Sequence, residues 1–213
     1  MRLYLYGLIL RRNAHLLPGA IEGIAGGRVG AVTIDDLAAL VSEVENAAPN
    51  LETVRAHDRV MRTVVEHGIT ALPVRFGQTF AEERELRRHV GERGTALSAA
   101  LGRMDGFVEM RLLMALPEPS VLQGDATTPG RAYLEQLRGS QRLVGLALRP
   151  ALGPVVLEER VSQLPREAGV AFAHLVQRSD EASYREAVAS QPSLHEAKVV
   201  GPLALYSFGD DAS

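Results

Sequence analysis

The spacing of apolar residues changes period several times along the chain, and each change marks an element. Leu3 to Leu10 is a nearly continuous apolar run with aromatic members, which predicts a largely buried strand. Val29 to Ile34 and Ala38 to Val44 predict two further strands, linked by the acidic turn residues Asp35-Asp36. A helical period follows. Asn50 is placed to cap a helix from Leu51 to His67 that Gly68 stops, with Val54, Met61, Val64 and Val65 on one face and His57 beside them. Thr79-Phe80-Ala81-Glu82 has capping-box spacing and predicts one helix running to about Leu101, with Leu86, Val90, Leu97 and Leu101 on one face and Gly94 in the gap of that stripe.

The clearest alternation runs from Phe107 to Leu116. Val108, Met110, Leu112, Met114 and Leu116 form an apolar face, and Glu109 and Arg111 place at least part of the other face in water. Pro117 to Pro129 has loop composition. A helix is expected from near Arg131, carrying Tyr133, Leu134, Leu137 and Val144. Pro150 and Gly153-Pro154 interrupt it before the charge-rich, helical stretch Val155 to Leu164. Val170 to Val176 then reads as a strand, Asp180 to Ser190 as a helix and Leu194 to Val200 as a strand. Gly201-Pro202 is expected to bend the chain into a last strand, Leu203 to Phe208.

Strands and helices interleave without a strict βαβ rhythm, which predicts an α+β fold. A division near Arg103 gives two domains, an N-terminal α+β domain over 1–103 and a C-terminal domain over 104–213. The second can form a ferredoxin-like sheet with its helices on one face.

Composition narrows the function classes. The 213 residues carry a net charge of −3, with 22 of the 23 basic residues arginine and only Lys198 lysine. With no basic excess there is no electrostatic footprint for nucleic acid. No stretch of 18 apolar residues is present, so no transmembrane helix and no lipid-membrane partner are expected. Met1-Arg2-Leu3-Tyr4-Leu5-Tyr6 lacks the small-residue cleavage site of a signal peptide. The absence of cysteine removes disulfides, thiolate metal sites and a cysteine nucleophile, in keeping with a cytoplasmic protein.

Motifs for catalysis are equally sparse. Gly23, Gly26, Gly27 and Gly30 precede a strand rather than a helix, unlike a dinucleotide or phosphate loop. His57, His67, His89, His174 and His195 have no metal-ligand spacing and read as surface or interface histidines. No Gly-x-Ser-x-Gly elbow occurs, and Glu82-Glu83 and Glu158-Glu159 read as solvated helix faces. No cofactor, metal or catalytic group is therefore expected.

The distinctive segment is Leu72-Pro73-Val74-Arg75-Phe76-Gly77. Pro73 favours extended backbone before it and Gly77 permits a turn out. Arg75 points opposite to Val74 and Phe76 in an extended chain, either as a structural arginine pairing a carboxylate or carbonyls, or as an anchor for a partner.

This segment, with His57-Asp58-Arg59-Val60 on the preceding helix, resembles the signature of the gas vesicle protein F/L family. Leu3-Tyr4-Leu5-Tyr6-Gly7, Asp36-Leu37-Ala38-Ala39-Leu40-Val41-Ser42, Gly130-Arg131-Ala132-Tyr133-Leu134 and Gly201-Pro202 with Tyr206-Ser207-Phe208 resemble further family segments in the same order. The chain departs from the family where Trp and Pro usually stand between the Gly-Pro and the Tyr-Ser-Phe; it has Leu203-Ala204-Leu205. The resemblance implies two α+β domains, the second a modified ferredoxin-like domain. It also implies a non-enzymatic minor component or assembly factor of the gas vesicle that works with the small hydrophobic shell protein and with other gas vesicle proteins. Leu72, Pro73, Val74, Arg75, Phe76, Gly77, His57, Tyr206 and Phe208 are then the family-motif residues, for partner binding or for structure. Two rival readings are a ligand-binding regulatory module built on a ferredoxin-like domain, and an enzyme with Arg75 holding an anionic substrate and His57 as base.

Overall fold

The computed structural model describes residues 1–45, 47–115, 150–163, 169–191, 194 and 197–209. The expected loop 117–129, the helix from Arg131 with its Gly130–Leu134 motif, and His195 lie outside the described residues. The chain divides into two compact units, Met1–Glu109 with the segment from Pro202 onward, and Met110–Gly201. The last segment thus groups with the first unit, whereas the sequence places everything after 103 in the second domain.

In the first unit, β1 (Arg2–Leu10) lies between partners on both sides. It pairs antiparallel with β3 (Leu37–Val44), which pairs in turn with β2 (Gly30–Ile34). On its other side β1 meets the short β4 (Ala71–Pro73) and β5 (Thr79–Phe80), both antiparallel. Asp35 turns the β2–β3 hairpin at φ 50°, a left-handed conformation an aspartate tolerates. Burial of β1 on both faces explains its unbroken apolar run.

Helix α1 (Leu51–Glu66) starts at Asn50 through a reciprocal cap: Thr53 N–H donates to Asn50 Oδ1 at 2.9 Å and Asn50 N–H donates to Thr53 Oγ1 at 3.1 Å. It ends at Gly68, whose φ of 82° suits glycine. Its buried face is Ala56, His57, Val60, Met61, Val64 and Val65, the valines and Met61 each contributing about 1.5–3 kcal/mol of transfer free energy. Val54 is exposed instead.

The single helix expected from Thr79 is replaced by three pieces. Thr79 and Phe80 form β5, and then α2 (Glu83–Gly91) and α3 (Gly94–Arg103) follow, separated at Glu92-Arg93. The capping-box reading of Thr79 fails because Thr79 pairs with Tyr4 in the sheet, and Glu85 instead accepts from Ala81 N–H at 2.8 Å.

The second unit contains a four-stranded sheet in the order β7-β8-β6-β9, formed by β6 (Phe107–Ala115), β7 (Val156–Gln163), β8 (Gly169–Gln177) and β9 (Lys198–Leu203). Helix α4 (Glu181–Ala189) lies in sequence between β8 and β9. Three expectations are corrected. The described part of the stretch expected to be helical, 155–163, is not: β7 pairs antiparallel with β8, which satisfies its backbone in a hairpin. Gly201-Pro202 does not end the strand, because Gly201 at φ 141° carries β9 on to Leu203, and Ala204 onward leaves the sheet. Glu109 is not on a wet face; it is fully buried. Among the described residues no helix is long and apolar enough to cross a membrane.

Candidate functional site

The tyrosines of β1 organise the first unit. A register shift between Leu5 and Gly7 interrupts the ladder to β3, and Tyr4 and Tyr6, two residues apart, have their rings 4.8 Å from each other. Tyr6 OH accepts Ile24 N–H at 2.8 Å and exchanges a hydrogen bond with Ser42 Oγ, also at 2.8 Å. A Cβ on Gly23 would collide with that hydroxyl, so the glycine-rich segment serves close packing over Tyr6. Burial raises the Tyr6 pKa, while Ser42 and Ile24 pull it back.

Tyr4 binds the two halves of the sequence signature together. Its hydroxyl meets His57 Nδ1 at 2.9 Å and accepts Gly77 N–H at 3.2 Å. Phe76 completes an aromatic box, its ring 5.8 Å from both Tyr4 and His57. The box is complete with a neutral imidazole, Tyr4 O–H donating to an unprotonated Nδ1. Burial holds His57 down at about 4, against a small opposing effect of Asp58, and pushes Tyr4 up to about 12. His57 is therefore a buried structural histidine rather than a surface one.

The chain between β4 and β5 arches away from β1. Val74 N–H donates to Tyr6 O at 3.1 Å on entry, and Leu5 N–H donates to Gln78 O at 3.0 Å on exit. Gly77, at φ 91°, makes the return turn. Phe76 faces into the box, and Arg75 is exposed. Val74 and Arg75 line the same groove, so the arch does not alternate as an extended strand would. Arg75 makes no hydrogen bond or ion pair among the described residues. Arg75→Ala is accordingly expected to leave unfolding free energy within about 0.5 kcal/mol of the parent, checked by thermal or urea unfolding.

The groove has a volume of about 530 Å³. Leu72, Pro73, Val74 and Arg75 line it with Leu5 and Leu8 of β1, Gln78, the α2–α3 residues His89, Val90, Arg93 and Leu97, and Tyr206 and Gly209 of the last segment. Of the nine residues singled out in the sequence, five meet at this groove; His57, Phe76 and Gly77 build the box behind it, and Phe208 is buried.

The last segment is tied to the first unit by hydrogen bonds that no local sequence pattern announces. Leu205 N–H donates to Ala71 O at 3.0 Å. Ser207 donates to the Glu109 carboxylate from both its backbone N–H, at 2.6 Å, and its hydroxyl, at 3.0 Å. A carboxylate with no exposure needs such donors. Ser207→Ala, removing one of them, is expected to cost about 1–3 kcal/mol, measurable by urea unfolding.

In the second unit Glu159, His174 and Tyr184 form a chain, with His174 Nε2 3.1 Å from Glu159 Oε2 and Nδ1 2.7 Å from Tyr184 OH. Burial lowers the His174 pKa and Glu159 opposes it; burial raises Tyr184. His174, like His57, is buried rather than at the surface. The Glu159–His174 pair follows from the hairpin register, in which these residues are directly opposite, and a strand reading of 156–163 would have exposed it. Among the described residues no group of histidine, aspartate and glutamate could hold a metal ion.

Comparison with known proteins agrees with this architecture. The structure resembles the crystal structures of gas vesicle protein GvpF from Anabaena sp. PCC7120 (TM-score 0.79, 18% identity, covering 98% of this chain and 95% of that one) and from Microcystis aeruginosa (TM-score 0.75, 18% identity, 98% of each chain). In sequence it is 32% identical over 140 residues to gas vesicle protein F1 of Halobacterium salinarum, spanning 63% of this chain and 62% of that protein. It is 34% identical over 113 residues to gas vesicle protein F of Haloferax mediterranei, spanning 51% of this chain and 52% of that one. The matched region is thus between about half and six tenths of these relatives' length. The profile of the family described as gas vesicle synthesis protein GvpL/GvpF matches residues 2–210, and the chain belongs to that family.

Proposed function

We propose that this protein is a non-enzymatic assembly factor or minor component of the gas vesicle, acting in the cytoplasm and at the vesicle, that holds the small hydrophobic shell protein while the vesicle forms. The observation that carries this reading is the groove beside β1. Its apolar walls come from Leu5, Leu8, Leu72, Val74, Val90 and Leu97, and the family-motif arch forms its rim. A shell subunit with an exposed apolar sheet face is an aggregation template until it joins a wall, and a groove that sets its apolar wall residues against part of that face delays aggregation without catalysis. The aromatic box sets the arch rather than offering a base: His57 is buried with its Nδ1 taken by the Tyr4 hydroxyl, which does not favour His57 as the base beside an anion held by Arg75.

The second unit supports the ferredoxin-like part of the reading. Numbered within that unit, its strands have the spatial order 2-3-1-4, with α4 between the third and fourth, as in a split βαβ arrangement.

Co-production of the tagged chain with the shell protein tests the proposal. The parent chain is expected to retain shell protein through purification. Val74→Asp, which places a charge among the groove's apolar walls, is expected to lower capture about tenfold or more, equivalent to roughly 1.4 kcal/mol, with melting little changed. Undiminished capture by a folded Val74→Asp chain would remove the groove from the proposal, and no capture by the parent chain would remove the shell protein as partner.

A further inference from the structure

The groove carries more specific chemistry than apolar capture requires. Arg75 reaches it from the arch and Arg93 from the break between α2 and α3, and neither guanidinium makes a hydrogen bond or ion pair among the described residues. His89, four residues before Arg93, lines the groove as well, and no aspartate or glutamate is among the described residues that line it. Two planar guanidiniums are matched by a carboxylate. An extended polypeptide provides that carboxylate together with alternating side chains for the apolar walls.

We propose that the groove takes an extended segment of a protein partner in which an acidic side chain alternates with apolar ones. Arg75 and Arg93 hold the carboxylate, and the apolar walls take the alternating side chains. The inference rests on the groove being the partner-binding surface and adds the chemical class it selects. A small free anion would leave most of a groove of about 530 Å³ and its apolar walls unused.

The probe is a fluorescent ten-residue peptide of leucine and valine alternating with serine and carrying one central glutamate, compared by anisotropy with its glutamine counterpart on the full chain. The glutamate peptide is expected to bind about tenfold more tightly at low salt, and its advantage to shrink as salt rises. Arg75→Gln/Arg93→Gln, folded by circular dichroism, is expected to bind the two peptides equally, and Arg75→Lys/Arg93→Lys to recover part of the preference. Equal binding of both peptides by the parent chain, or an unchanged preference in the glutamine double variant, would overturn the inference. So would displacement of the peptide by millimolar inorganic phosphate, which would mark a free-anion site. A rise in affinity of more than about threefold in Asp210→Asn/Asp211→Asn would make the chain's own end the competing occupant and overturn it as well. Shell-protein capture is scored separately on the parent chain. Capture by a parent chain that binds the two peptides equally removes the carboxylate clamp and leaves the groove as the binding surface.

Discussion

Tyr6→Phe is expected to lower the unfolding free energy by about 2–4 kcal/mol, although it removes one oxygen atom. The hydroxyl has two buried partners, Ile24 N–H and Ser42 Oγ, and neither has another partner among the described residues. Deleting it leaves a backbone donor and a side-chain hydroxyl without partners where water has no access, and each such group costs about 1–3 kcal/mol. The phenyl ring itself keeps its packing against Tyr4, so the loss isolates the polar contribution. Ser42→Ala removes only one of the two contacts and should cost about 1 kcal/mol. In the double variant the two losses should add to less than their sum, because both report partly on one hydrogen bond. Urea unfolding of the four chains reads this directly. A Tyr6→Phe chain as stable as the parent would mean that the Gly23–Gly27 segment relaxes enough to satisfy Ile24 elsewhere.

Much of the first unit's frame is legible in the sequence because its signals are local. The run from Leu3 to Leu10, the Asp35-Asp36 turn and the Asn50–Gly68 limits of α1 each depend on residues within a few positions of one another. The errors arise where a tertiary partner overrides local pattern. Thr79 has the spacing of a helix cap, yet Tyr4, 75 positions earlier, claims it for the sheet. The charges of Glu158, Glu159 and Arg160 suggest a solvated helix, yet pairing with β8 makes that stretch an edge strand, where such charges also suit an exposed edge. Glu109 sits at a position that alternation assigns to water. Nothing nearby in sequence announces that Ser207, 98 residues later, supplies two donors to its carboxylate.

The site divides in the same way. The arch from Leu72 to Gly77 stands out through its proline and glycine, and His57 through its place on the buried face of α1. What links them is the Tyr4 hydroxyl, which no spacing rule connects to either. Read from sequence alone, Arg75 is more a structural arginine than a partner anchor; its exposure, with no hydrogen bond or ion pair among the described residues, counts against the structural role. The contribution of α2 and α3 to that groove was hidden by the expectation of one continuous helix. The break at Glu92-Arg93 places Arg93 at the groove with Arg75.

Acid should destabilise the fold over a window set by its two buried histidines. His57 titrates at about 4 in the folded chain against an ordinary value of 6.5, because burial penalises the imidazolium more than Asp58 favours it. Above about pH 6.5 the folded and unfolded chains both hold it neutral, and its contribution to stability is complete. Between about 6.5 and 4 the unfolded chain takes up a proton that the folded one refuses, so stability falls as pH falls; below about 4 both bind it and the loss is complete. For a shift of this size the loss is on the order of 3 kcal/mol. Protonation of Nδ1 would also remove the acceptor for Tyr4 O–H, loosening the arch that carries Arg75. His174 acts in the same direction, since burial lowers its pKa despite the Glu159 hydrogen bond. Urea unfolding of the parent and of His57→Gln at pH 7, 5.5 and 4.5 separates this contribution from that of the surface carboxylates, which the two chains share. His57→Gln should be the less stable chain at pH 7, and the difference should shrink by about 2 kcal/mol at pH 4.5. Parallel pH profiles would show that the imidazole titrates normally in the fold, and would take the buried, neutral His57 out of the account of how the arch is held.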